Sequence, residues 1–262
     1  MKGKNENNLD FYSIYCEAME LKFDCVVGKS VSHNFPMHIH DSLCIGMVTK
    51  GQRNLSLSDC SETIKSNELF VINRLQPHAI IYSEQHDYIA ITIKGTDLRT
   101  VAFKNVIKSL ACADLFLQLF HTLKENEVKR VPRVWNDLFS FLIDAYQVPS
   151  NTISSKEDFI RKSIEYIHAN YQQPITVADI ANHACMSTYH FCRLFKHLTG
   201  LSPHNYLKQY RLSRSYACLQ KNNPVFDTAI ETGFYDSSHF IRTFQTYMAV
   251  SPKEYQESII KQ

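Results

Sequence analysis

From about Cys25 to Ile93, apolar residues come in short runs rich in Val, Ile and Leu, separated by turn residues such as Lys50-Gly51-Gln52. Cys44-Ile45-Gly46-Met47-Val48 and Leu69-Phe70-Val71-Ile72 are typical, and runs so short and close together predict the strands of a small barrel or sandwich. From Lys104 onward the period changes to that of a helix. Phe116, Leu119, Phe120 and Leu123 form one stripe, and Trp135, Leu138, Phe139 and Leu142 a second at the same spacing. Such helices either pack on the barrel or form the seam of a dimer; the pattern is equal to both. Val148-Pro149-Ser150-Asn151-Thr152-Ile153-Ser154-Ser155 is polar and reads as a linker between a first domain, 1–150, and a second, 151–262. Ser154 and Glu157 have capping-box spacing ahead of a helix carrying Ile160, Ile164 and Ile167. The fold class expected is α+β: a small β-barrel with flanking helices, followed by an all-α domain.

The second domain contains an internal repeat. Residues 191–206 and 240–255 share the frame F-x-R-x-F followed by S-P-x-x-Y, at an offset of 49. Ala181 and Ala229 match at an offset of 48, so the second copy has one more residue in its turn. Each copy reads as a helix-turn-helix. In the first, Val177, Ile180, Ala181 and Ala184 give a short helix whose small inner face lets another helix cross closely. Cys185-Met186 turns the chain, Ser187 caps the next helix, and Gly200 ends it. Phe191, Leu194, Phe195 and Leu198 then face inward, leaving Tyr189, Cys192, Arg193 and Lys196 outward. In the second, Gly233-Phe234 turns and Asp236 caps; Phe240, Phe244 and Tyr247 face inward. Ser238, Ile241, Arg242 and Gln245 are outward, with Ser237 and His239 at the leading end.

A recognition helix offers its leading end and outer face to the major groove, where arginine pairs bidentately with guanine. Arg193 and Arg242 fit that role; the competing reading has them stacked on the fold and bonded to a helix end. Thr188, Lys196 and Gln245 suit phosphate contacts or solvated surface. Between the copies, Ser202 and Pro203 open a long helix that would set the two units about one DNA turn (~34 Å) apart.

Composition adds little on its own. Net charge is +2, but residues 155–262 hold 12 Lys+Arg against 9 Asp+Glu while the remainder is slightly acidic. No apolar run approaches the ~20 residues of a membrane span, and the polar start lacks a secretory signal, which points to the cytoplasm. None of the eight cysteines forms C-x-x-C, so they are expected to be reduced, mostly core residues.

The repeat resembles the AraC family of transcription regulators over about residues 157–257. The resemblance rests on Ile180-Ala181, Met186-Ser187, Phe191-x-Arg193-x-Phe195-Lys196, Gly200-x-Ser202-Pro203, Arg211-Leu212, Gly233-Phe234 and Ser251-Pro252. It implies base contacts at Tyr189, Cys192 and Arg193 and at Ser237, Ser238, His239 and Arg242. Thr228 stands where the family has a large aliphatic residue, and Ala249 where it has glycine. The resemblance further implies double-stranded promoter DNA and RNA polymerase as partners, activation as the commoner role, and a sensor domain that takes a small effector or dimerises. A homodimer would use helices within 104–147.

The first domain resembles the small cupin barrel of AraC-type sensors: His38-x-His40 precedes a strand, Gly51 closes a turn and Pro77-His78 ends a later strand. Cys44 occupies the place of the cupin glutamate, and Asn67, Asn73 and Leu75 replace the second motif's glycine, proline and glycine. His38, His40, Cys44 and His78 are therefore candidate ligand-pocket residues. As three imidazoles and a thiolate they are also candidate metal ligands, though no cofactor is expected. The rival function is a cupin-type metalloenzyme with a helical appendage, which the missing glutamate and the duplicated frame oppose. A DNA-repair methyl transferase would need a reactive-cysteine motif, and none is recognisable. The expected function is a sequence-specific DNA-binding regulator without catalysis.

Overall fold

The computed structural model describes residues 8–40, 42–57, 60–74, 76–81, 84–95, 101–148 and 155–260. The chain divides into two compact units. The first takes in the described residues of Met1–Asn34, Asp41–Ser150 and Ser258–Gln262; the second takes in Phe35–His40 and the described residues of Asn151–Glu257.

In chain order the strands begin with β1 (Asn8–Cys16), β2 (Leu21–Val31), β3 (Phe35–His38), β4 (Leu43–Lys50), β5 (Gln52–Leu57) and β6 (Ser61–Lys65). They continue with β7 (Leu69–Ile72), β8 (His78–Ile81), β9 (His86–Lys94), β10 (Ala102–Phe103) and β11 (Val106–Ile107). Helices α1 (Leu110–Lys124) and α2 (Val131–Tyr146) follow, then β12 (Gln147–Val148). Six strands of the first unit lie in the order β1-β2-β9-β4-β7-β11. A second sheet places β5 between β8 and β6, all antiparallel.

Strand β4 is central and apolar from Leu43 to Val48 because both its faces are covered. Leu43, Ile45 and Met47 join Ile89, Ile91 and Ile93 of β9 under α1 and α2. The alternate residues Cys44 and Gly46 face the other way, where the Phe70 ring lies against Gly46 so closely that a Cβ would sit 2.1 Å from it. The two helical stripes read from the sequence are consumed by this core. Phe116, Leu119, Phe120 and Leu123, and Trp135, Leu138 and Leu142, are buried, and Trp135 meets Phe23 of β2 at 5.7 Å. These stripes therefore cannot form a dimer seam. The helical pattern begins at Leu110, later than the period suggested, because 102–107 form the short strands β10 and β11.

The second unit contains α3 (Ser155–Asn170), α4 (Val177–His183), α5 (Thr188–Thr199), α6 (Pro203–Gln220), α7 (Val225–Glu231), α8 (Ser237–Met248) and, up to Glu257, α9 (Pro252–Ile260). The linker residues 149–154 and the capping box of Ser154 and Glu157 lie outside the described residues. Helix α6 is the spine. Its Arg211 donates from Nε to the carbonyl of Tyr171 and from Nη2 to that of Gln173, each at 2.7 Å, fixing the α3–α4 turn. Tyr210 stacks on His168 at 3.9 Å between centroids. Buried Gln209 donates from Nε2 to the Met37 carbonyl and accepts from the Ile39 amide, both at 2.9 Å, as a neighbouring strand would. The unit is thus assembled from two distant stretches of chain.

Candidate functional site

Both helix-turn-helix units take shape around buried phenylalanines. In the first, Thr176 and Asp179 form a reciprocal capping box at the start of α4, and Ser187 accepts the His190 amide at the start of α5. Phe191 and Phe195 are fully buried at 5.3 Å from each other, and Phe195 meets Tyr206 of α6 edge-on at 5.4 Å. The chain leaves α5 through Gly200 at φ 71°, where a glycine bears no Cβ strain. Leu198, expected to face inward, is 36% exposed. Thr199 is buried in its place: the covered face follows Phe191, Phe195 and Thr199 at four-residue spacing, and Leu198 lies one helical step to its side.

On the outer face of α5, Thr188, Tyr189, Arg193 and Lys196 are exposed and Cys192 is half-buried. The Arg193 guanidinium lies 5.7 Å from the Tyr189 ring and donates to its hydroxyl at 3.5 Å. That contact stays within the exposed face, where both residues remain open to solvent.

The second unit repeats the plan with different termini. Pro224 precedes α7 with no side-chain cap, and Asp236 accepts the His239 amide at 2.7 Å to begin α8. Phe240 and Phe244 are fully buried; Phe244 packs against Tyr216 and Tyr255. Ser238, Arg242 and Gln245 are exposed on α8, with Ser237 and His239 half-buried at its leading end. Burial, and then the positive charge of Lys208, holds the His239 imidazole below the usual histidine value; Asp236 acts in the opposite sense.

The cupin-motif residues are placed as follows. His38 donates from Nδ1 to the Pro36 carbonyl at 2.7 Å, and its ring is 6.1 Å from Tyr247 and 6.2 Å from His40. His78 is buried with Nδ1 2.9 Å from the Gln76 carbonyl. Burial pushes the Cys44 thiol up to about 11, so it is protonated near neutrality. Among the described residues no three His, Cys, Asp or Glu side chains gather to hold a metal ion; of the four candidates, His38 and His40 belong to the second unit and Cys44 and His78 to the first.

A different polar group occupies the inside of the first unit. Arg53 on β5 is 6% exposed, its guanidinium carbon 4.2 Å from the Tyr88 ring centroid and 5.0 Å from that of Phe70. Tyr88 lies against Gly28 as Phe70 lies against Gly46, so two glycines make room for the rings that flank the cation. His86, next to Tyr88, is buried with an Nε2 that makes no hydrogen bond, and burial holds its imidazole below the usual value. Arg53 was readable in principle: it shares the inward register of Leu55 and Leu57.

A β-rich unit with an internal polar core and a helical unit with two helix-turn-helix elements define a two-domain DNA-binding regulator. The comparisons agree. A family model described as AraC-like ligand binding domain matches residues 20–130, and one described as helix-turn-helix domain matches 180–258. The HTH-type transcriptional regulator YbfI of Bacillus subtilis is 27% identical, over 80% of this chain and 83% of that relative. YdeC of the same organism, also an HTH-type transcriptional regulator, is 21% identical over 91% and 93%. The crystal structure of ToxT from Vibrio cholerae with an unsaturated fatty acid bound superimposes with a TM-score of 0.59 at 15% identity, covering 98% of this chain and 96% of that one. That likeness concerns the fold. The chain belongs to the AraC family of transcription regulators.

Proposed function

We propose that α5 and α8 read bases in successive major grooves of promoter DNA, with Arg193 and Arg242 as the principal readers. The observation that carries this reading is their shared position: each follows a buried phenylalanine by two residues on a capped helix, and each is exposed. Tyr189 and Cys192 flank Arg193 on the first helix; Ser237, Ser238 and His239 serve the second; Thr188, Lys196 and Gln245 contact phosphate. The test is a selection of preferred duplexes from a random library. Arg193→Ala and Arg242→Ala should each erase preference in a separate half-site, whereas a uniform loss across all sequences would make them phosphate contacts.

The first unit is assigned the effector. The buried polar groups Arg53 and His86, beside Cys44, favour a ligand that accepts hydrogen bonds or carries negative charge, and the fatty acid held by ToxT is a ligand of that chemistry. His78 of the same unit is retained as a ligand contact; His38 and His40 belong to the second unit and remain candidates on the sequence spacing alone. Effector binding shifts DNA affinity to the extent that it prefers one arrangement of the units over another. Activation through RNA polymerase in the cytoplasm is the regulatory role that we infer from the family. A homodimer would have to use the outer faces of the helices in 104–147, where Leu110 is exposed, because the inner stripes are filled. No helix among the described residues is long and apolar enough to cross a membrane.

A further inference from the structure

Beside the second recognition helix lies an open cleft of about 480 Å³ whose polar lining is strongly basic. His204, Lys208 and Arg211 project into it from α6, His239 from the first turn of α8, and Gln172 from the α3–α4 turn. His204 and Lys208 are four residues apart and so occupy one face of α6. They differ from Arg211, whose guanidinium is engaged by the Tyr171 and Gln173 carbonyls. The cations are mutually close: Lys208, Arg242 and His204 all act electrostatically on His239. Asp236, the carboxylate that acts on the same imidazole, is committed to capping α8. The fold therefore brings like charges together where they repel, a cost that an arriving anion would reverse.

We propose that this cleft seats the DNA backbone beside the second half-site, with His204 and Lys208 of the joining helix contacting a phosphate that lies next to the base-reading edge of His239. The inference rests on the reading of α8 as a recognition helix and extends the interface onto α6, where the repeat places no reader. Continuity favours DNA over a free anion: His239 belongs both to the cleft and to the leading end of α8, and Arg242 stands one turn further along the exposed face. A phosphodiester passing α8 would meet Lys208 without leaving the groove edge. The joining helix would then hold the duplex as well as set the spacing of the two units.

The experiment measures association of the full chain with two fluorescent duplexes of about 30 base pairs, long enough for two half-sites one turn apart. One duplex is selected by the wild-type chain from a random library; the other has random sequence. Affinity is followed against salt concentration for wild type, Lys208→Gln, His204→Gln and Arg242→Ala. Lys208→Gln should lower the salt slope by about one unit and weaken both duplexes alike, His204→Gln should act in the same direction, and Arg242→Ala should weaken chiefly the selected duplex. An unchanged slope in both cleft variants, with wild-type binding intact, overturns the cleft assignment alone. Weakening of both duplexes that inorganic phosphate at millimolar concentration abolishes, with no change in slope, also overturns it and makes the cleft a site for a free anion. Absence of salt-dependent binding by the wild type overturns the recognition-helix reading itself. Arg211 is left unaltered because it holds the α3–α4 turn, and circular dichroism of each variant verifies that the helices persist.

Discussion

The two helix-turn-helix units use the same buried frame and differ at nearly every terminus. The first has a capping box on α4, a serine cap on α5 and glycine at the left-handed exit. The second begins with Pro224, which offers no side-chain cap, and leaves α8 through Ala249 at φ 60°. Their turns invert this order: Cys185 is left-handed at φ 54° in the first, whereas Gly233 supplies φ 83° in the second. Thr228 of the second unit is fully buried with a hydroxyl that makes no hydrogen bond. Frame residues tell which units exist, while local backbone chemistry tells how firmly each is held. The second unit compensates by position, since Gly233 packs under the Tyr171 carbonyl and α8 borders the basic cleft.

The turns allow the sharpest break in that comparison. Gly233→Ala places a Cβ 2.5 Å from the Tyr171 carbonyl oxygen at a positive φ and should cost at least about 2 kcal/mol of stability by chemical denaturation. Cys185→Gly relieves a left-handed residue and should be neutral or stabilise by about 1 kcal/mol. Equal losses from both would show that the turns are not distinguished by backbone strain. Next in size are the readers: Arg193→Ala and Arg242→Ala should each cost about 1–3 kcal/mol on a selected duplex, measured by fluorescence anisotropy. Smaller still are repairs confined to the second unit. Thr228→Val removes an unpartnered buried hydroxyl and Ala249→Gly removes a strained exit; each should raise stability by about 1 kcal/mol. A loss of stability in either would mean that the residue makes a compensating contact.

The smallest effect is pH dependence. The free His239 imidazole sits below its usual value of 6.5 through burial and then Lys208, opposed by Asp236 and reinforced by Arg242 and His204. Arg211 also faces the cleft. A phosphate favours the protonated ring, so the value in the complex lies above that in the free chain, and DNA binding takes up proton. Affinity should therefore strengthen as pH falls through the bound value towards the free one and level off below it, by less than about tenfold per pH unit. His239→Gln should flatten the profile relative to wild type; an unaltered profile would assign the dependence to other groups.

The helical half was legible because its signals are local. Phe191, Phe195, Phe240 and Phe244 repeat on one helical face, and Ser187, Gly200 and Asp236 mark ends within a few residues of the groups they satisfy. Leu198 shows the limit, since periodicity alone does not tell which edge of an apolar stripe the neighbouring helices cover, and here they cover Thr199 instead. In the first unit, β4 and the two apolar stripes were readable as buried, but the partner of those stripes was not. A stripe records that something covers it; here the cover is the chain's own sheet. The spacing of His38, His40, Cys44 and His78 runs across a unit boundary that it does not announce, whereas Arg53 is hard to read as buried because arginine is normally exposed and only its strand register betrays it. Nothing local pairs Gln209 with Ile39, 170 residues away.

The most direct test of the central claim, that two unequal units read DNA together, is the base preference of the full chain determined by in vitro selection for wild type, Arg193→Ala and Arg242→Ala. The prediction is a bipartite site with two blocks about one helical turn apart, each variant erasing one block and leaving the other. A single block, or loss of the same positions in both variants, would contradict it.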